Sequence, residues 1–177
     1  MPEAATTELL TRELLGPWVL DVAQTKVRIA HKTLWGLMNV KGTVAVIEGA
    51  GQIEPGGSLT GTMRLSASSF DTGNKKRDDH LRSADFFDVD RYPTIDLRIL
   101  SGTATDGDIQ LQGELTVKGI SEPQALVARV VESTPNSVTI TVDTEIDRAR
   151  FGISWNKIGM IKGLNSVHVD ARFTRAV

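Results

Sequence analysis

From Trp18 onward, apolar and polar residues alternate with a period of two along most of the chain. The early runs are Val27 and Ile29; Val44 and Val46; Leu59, Gly61, Met63 and Leu65; and Ile95, Leu97 and Ile99. Later runs are Ile109 to Val117, Leu126 to Val130, Val138 to Val142, and Val167 to Phe173. This period puts alternate side chains on one face of a strand, so about eight strands with one apolar face each are expected. Glu54-Pro55-Gly56-Gly57, Asp106-Gly107-Asp108 and Thr134-Pro135-Asn136 fall between the runs and read as hairpin turns. Consecutive hairpins without crossover helices predict an all-β fold, an eight-stranded antiparallel up-and-down barrel, whose closure leaves no strand edge unpaired. A two-sheet sandwich is the alternative.

Three segments leave the alternation. Residues 6–15 place Leu10 and Leu14 four apart ahead of Gly16-Pro17, predicting a short N-terminal helix too short to be stable alone. Its leucine face leaves a homodimer interface open. Residues 72–92 form an insert much longer than a hairpin loop, with a helix expected near 75–85 and an Asp78–Arg82 pair at i, i+4. Residues 147–163, carrying Phe151, Trp155 and Met160, join the last two strands. Both long segments could meet at one barrel mouth.

Composition narrows the function. The 177 residues carry 20 Lys and Arg against 22 Asp and Glu, so no global field attracts nucleic acid. With no cysteine, disulfides, thiolate metal sites and cysteine nucleophiles are excluded. The first twenty residues lack a basic, apolar, small-residue leader pattern, which reads as cytoplasmic, and no apolar run suggests a membrane span.

Catalytic motifs are sparse. Gly49-Ala50-Gly51 lacks the third glycine of a dinucleotide loop and reads as a turn or bulge, and Gly152-Ile153-Ser154-Trp155 lacks the second glycine of a serine-hydrolase elbow. His31, His80 and His168 have no metal-ligand spacing; His31 and His168 read as ordinary strand residues, and no metal or cofactor is expected. The insert, however, gathers Arg77, His80 and Arg82, cations suited to an anionic or polar head group. The alternating apolar positions Met63, Leu97, Leu115 and Val142, with Trp35, Phe86, Phe87, Phe151 and Trp155, are the candidate lining of an interior cavity.

Ser69-Phe70-Asp71-Thr72, the run Arg77 to Phe87 (RDDHLRSADFF) and Tyr92-Pro93 resemble the central signature of the YceI-like proteins. Val40-Lys41-Gly42-Thr43, Gly113 to Gly119 with Pro123, and Asp147 to Ile153 resemble flanking blocks, so the likeness covers about residues 17–175. Val44 stands where the family often has Phe, which would alter the cavity's shape, and Ser166-Val167-His168-Val169 lacks an acidic residue often found there.

The resemblance implies a lipocalin-like barrel over residues 17–177, preceded by an N-terminal extension, residues 1–16. It implies carriage or storage of a polyisoprenoid, quinone-like or other amphiphilic lipid, and no enzymatic activity. Two other readings stay open: a small hydrolase or isomerase using His80 with Asp78 or Asp79, and a stress-response module without a ligand.

Overall fold

The structure, a computed structural model, describes residues 12–33, 36–105, 107–156, 159, 161 and 163–177. The alternating runs form β1 (Gly16–Leu20), β2 (Lys26–Thr33), β3 (Met38–Val44), β4 (Val46–Ile53) and β5 (Leu59–Ser66). After the insert come β6 (Thr94–Thr105), β7 (Asp108–Val117), β8 (Ile120–Ser133), β9 (Ser137–Ile146) and β10 (Asn165–Arg175).

These ten segments make eight strands. β1 and β2 are halves of one strand interrupted by a 3-10 turn at Val22–Gln24, and β3 and β4 are halves of another, interrupted at Ala45. β1 pairs with β4 and β2 with β3; pairing then runs in sequence order from β4 to β10. β10 closes the ring by pairing its first half with β2 and its end with β1. The result is a closed antiparallel up-and-down barrel, and the sandwich alternative is set aside.

Local chemistry fixes the interruptions and turns. The 3-10 turn is stitched to β10, because Thr25 donates its hydroxyl to the Asp21 carbonyl (2.7 Å) and accepts from the Arg172 N–H (3.2 Å). At the second break the freed Ala45 N–H donates to Ser69 Oγ (2.7 Å). Lys118 and Gly119, both at positive φ (52° and 73°), form the two-residue β7–β8 turn, whose twist matches the strands it joins. Gly49 and Gly51 lie inside β4, just past a bulge at Val46/Glu48, rather than in a turn.

Alternation places the core. On β7, Leu111, Leu115 and Val117 are buried while Gln110, Gln112 and Glu114 face water. Ala128, Val142, Val169, Val27 and Val44 pair successively across β8, β9, β10, β2 and β3 as an apolar girdle. Met63, Leu97 and Leu115 pair across β5, β6 and β7. Two buried clusters result, and Leu97, Ile140 and Val169 pack against both.

The insert after β5 folds into α1 (Lys75–Arg82), shorter than expected, followed by turns through Arg91. Asn74 caps it, its side-chain oxygen accepting from the Arg77 N–H (3.0 Å). The expected Asp78–Arg82 pair does not form. Asp78 points inward and accepts from the Thr72 N–H (3.0 Å) and hydroxyl (2.6 Å), while Arg82 pairs with Asp79 (3.1 Å).

Most of the expected N-terminal helix lies outside the described residues. Its end is tied to the barrel: Trp18 donates its indole N–H to the Leu14 carbonyl (2.9 Å), and Arg175 donates to the carbonyls of Glu13 and Leu15. The Arg175 guanidinium also lies 4.4 Å from the Trp18 ring centroid.

Candidate functional site

Apolar side chains line the barrel interior but do not fill it; an elongated cavity of about 770 Å³ remains. It reaches from Leu14, Trp18 and Val138 at one end to α1 at the other. Met63, Leu65, Leu97, Ile140 and Val169 point inward yet keep partial exposure, because they face this lumen. Small barrels are either filled by their own side chains or hold one ligand, and a void of this size belongs to the second kind.

Of the expected lining residues, Met63, Phe86, Phe87, Leu97, Leu115, Val142, Phe151 and Trp155 all border the cavity. Trp35 and Met160 lie outside the described residues. Of the expected head-group cations, Arg77 and His80 reach the cavity. Arg82 does not: it donates to the carbonyls of Ser68 (2.7 Å) and Phe70 (3.2 Å), fastening α1 to the segment after β5.

The two long segments meet over one mouth. His80 packs edge-on against Trp155 (4.5 Å between centroids) and Phe86 (5.0 Å), and Phe86 lies 5.4 Å from Trp155. Arg148, from a 3-10 turn capped by Asp147, donates to the Trp155 carbonyl (2.8 Å) and lies 5.9 Å from the Phe86 ring. Phe70 stacks on Phe87 (4.3 Å) and ties the insert to the larger core cluster. Gly42 is needed beneath this lid, since a Cβ there would come within 2.9 Å of the Asp71 carbonyl oxygen.

Below the lid, one wall turns polar. Four residues beyond Val27, His31 keeps the inward phase; Asn165 does the same four before Val169, Gln124 four before Ala128, and Thr144 two after Val142. Gln124 donates to the Thr144 hydroxyl (3.2 Å), but its own carbonyl oxygen and both ring nitrogens of His31 are buried without partners. Burial pushes the His31 pKa down, helped by the nearby Arg148 charge; Asn165 opposes this only in part, since neither ring nitrogen reaches it in hydrogen-bond geometry. Burial likewise lowers Arg148, with Asp147 opposing. Reading His31 as an ordinary strand residue missed this belt.

The acid–base pair of the enzyme alternative is not assembled. Asp78 is engaged by Thr72, Asp79 by Lys75 and Arg82, and His80 donates from Nε2 to Asp85 (2.9 Å). Among the described residues, no group of three His, Asp or Glu is placed to hold a metal ion. His168 lies on the outer wall between Asp143 (2.6 Å) and Asp170 (3.1 Å), carboxylates that raise its pKa.

With the hollow barrel and its lid described, the model of the YceI-like domain matches residues 18–174. The chain belongs to the YceI-like family. It is 34% identical over 67 residues to the YceI protein of an Escherichia coli strain, covering 38% of this chain and 35% of that protein. A UPF0312 protein of Staphylococcus aureus is 32% identical over 113 residues, covering 60% and 64% respectively. The matched stretches thus span from about a third to under two thirds of these curated relatives.

Solved structures share the YceI-like fold at lower identity. Burkholderia cenocepacia BcnA superposes with a TM-score of 0.75 at 19% identity, over 86% of this chain and 98% of that one. A polyisoprenoid binding domain from Saccharophagus degradans, implicated in plant cell wall breakdown, gives 0.71 at 13% identity over 90% and 98%. Among the described residues, no helix is long and apolar enough to cross a membrane.

Proposed function

We propose that this protein binds and carries or stores a long-chain amphiphile, of polyisoprenoid or similar type, and acts without catalysis. The observation that carries this reading is the apolar lumen of about 770 Å³ running through the barrel. The polyisoprenoid binding domain from Saccharophagus degradans, which has the same fold, adds support. The tail would lie against Met63, Leu97, Leu115 and Val142. Phe86, Phe87, Phe151 and Trp155 would close over it. Each buried methylene contributes about 0.8 kcal/mol, so a five-carbon unit offers roughly 4 kcal/mol before the cost of ordering.

The polar end belongs at the lid. Buried atoms without partners cost about 1–3 kcal/mol each, and a ligand that bonds His31 and Gln124 returns part of that loss. Terminal torsions of His and Gln are broad, so a modest rotation turns both groups toward the lumen. Arg148, Arg77 and His80 stand around the same end as further contacts.

Native mass spectrometry of freshly purified protein tests the reading. A retained lipid, or uptake of an added prenol with one-to-one stoichiometry, is expected. Protein that stays empty across prenols, quinones and fatty amides would remove it and favour a module without a ligand.

A further inference from the structure

The end of the cavity away from α1 is built around Trp18, which borders the lumen and is buried. Trp18 and Leu20 take the inward phase of β1, while Pro17 and Val19 face out. The indole ring is held on two sides. Its N–H donates to the Leu14 carbonyl (2.9 Å), and the Arg175 guanidinium lies 4.4 Å from its centroid. Arg175 is itself anchored by donating to the carbonyls of Glu13 and Leu15. A ring fixed both at its polar atom and on its face does not swing aside without losing those contacts.

The wall beside the ring is bare. Trp18 pairs with Gly51 and Gly51 with Gly61, and all three border the cavity. Glycine within a strand weakens it, so each needs a reason. Gly61 has a backbone one, since a Cβ there would come within 3.1 Å of the Ala50 carbonyl oxygen. Gly51 has none. Its φ is not positive, and a Cβ would meet only Trp18 Cβ (3.8 Å), the Thr60 carbonyl oxygen (3.9 Å) and the Phe173 ring (4.0 Å), all ordinary contacts. The missing side chain at Gly51 therefore leaves room in the lumen rather than relief for the backbone.

Between this end and the polar belt lies an apolar compartment of set length. On β10, Asn165 belongs to the belt and Phe173 to the far end, with Val167, Val169 and Ala171 between them, all bordering the cavity. Those eight residue steps make roughly 26 Å along the strand, or about 20 Å along the barrel axis at the usual strand tilt. We propose that Trp18 is the stop that sets the length of tail the barrel accepts, and that the notch at Gly51 and Gly61 receives the last unit of that tail. The proposal rests on the lipid-carrying reading and adds selection by chain length to it.

The test is displacement of a fluorescent prenyl analogue from the full-length protein by prenols that lengthen in five-carbon units, from geraniol to solanesol. Affinity should rise about tenfold or more with each unit until the tail meets Trp18, then level off. Trp18→Leu should move that break to a tail one unit longer, and Gly51→Leu to a tail one unit shorter, while the shortest prenols bind as before. Val19→Ala, on the outer face of the same strand, should leave the break in place.

An affinity that climbs without a break through solanesol overturns the proposal. So does a break that stays put in Gly51→Leu, or one that Val19→Ala moves as far as Trp18→Leu does. Should Trp18→Leu fail to fold, Gly51→Leu decides alone, because its Cβ makes only ordinary contacts. A plateau set by the solubility of long prenols falls at the same length in every variant and so counts against the stop. A wild-type protein that binds neither the analogue nor any prenol removes the carrier reading itself. One that binds them with an unmoved break keeps that reading and loses the stop.

Discussion

Filling the lumen from its wall tests whether the interior is hollow. Leu97 sits mid-strand on β6, between Met63 and Leu115 on the neighbouring strands, and packs against both buried clusters while bordering the cavity. In a solid core, Leu97→Trp would force side chains off their rotamers at about 1–3 kcal/mol or more. Here the larger ring has about 770 Å³ to enter, so unfolding free energy of the ligand-free protein should change by less than about 1 kcal/mol. The same ring displaces ligand. If it takes the room of one five-carbon unit, the loss is about 4 kcal/mol gross, up to roughly a thousandfold in affinity. Urea unfolding of the empty protein and titration with a fluorescent prenyl analogue measure the two effects. A variant destabilised by several kcal/mol, or one that binds the analogue as before, would refute the reasoning.

Other expectations follow from the lid and the histidines. Arg82→Glu should cost about 1–2 kcal/mol, since its carbonyl and Asp79 bonds are only partly shielded. It should also weaken phosphorylated and neutral prenols alike; a selective loss of the phosphorylated one would restore Arg82 as a head-group residue. Asp78→Ala should lower stability by about 2–3 kcal/mol by stripping the Thr72 N–H and hydroxyl of their acceptor, and speed hydrogen exchange in α1. His31 has a lowered folded pKa, so below about pH 6.5 the unfolded chain binds a proton the folded chain refuses, and stability falls with acidification. His168 has a raised one, so its contribution is full below about pH 6.5 and is lost as pH rises through the folded value. His31→Gln should flatten the acid limb of a melting-temperature profile and His168→Gln the alkaline limb; unchanged slopes would contradict these environments.

The barrel was legible because a period of two records which side of a strand faces water. Val44 and Val46 show its limit, since both stay buried across the break at Ala45 and the phase carries no mark of it. The earlier break did leave one: Trp18 and Leu20 are even-numbered and Val27 and Ile29 odd, a slip the 3-10 turn absorbs. At the site, the alternating positions Met63, Leu97, Leu115 and Val142 and the aromatics Phe86, Phe87, Phe151 and Trp155 border the cavity, while Trp35 lies outside the described residues. The anchoring role of Arg82 could not be read, because its acceptors are backbone carbonyls brought near by tertiary folding, while helical spacing pointed to Asp78. The polar belt did carry a signal. His31, Gln124, Thr144 and Asn165 each occupy an inward phase set by apolar neighbours, where a polar residue is costly unless something bonds it.

Closure by β10 also bears on how the chain comes to be sealed. The seam joins Trp18 to Arg175 and Val27 to Val169, contacts between opposite ends of the sequence, which form late and slow folding toward milliseconds or longer. Until Asn165 to Arg175 has been synthesised, the apolar lining belongs to an open sheet with raw edges on β9 and on the β1–β2 strand. A nascent barrel therefore shows its greasiest surface and two unpaired edges before it has an inside, the condition under which slow-folding sheets aggregate or need a chaperone.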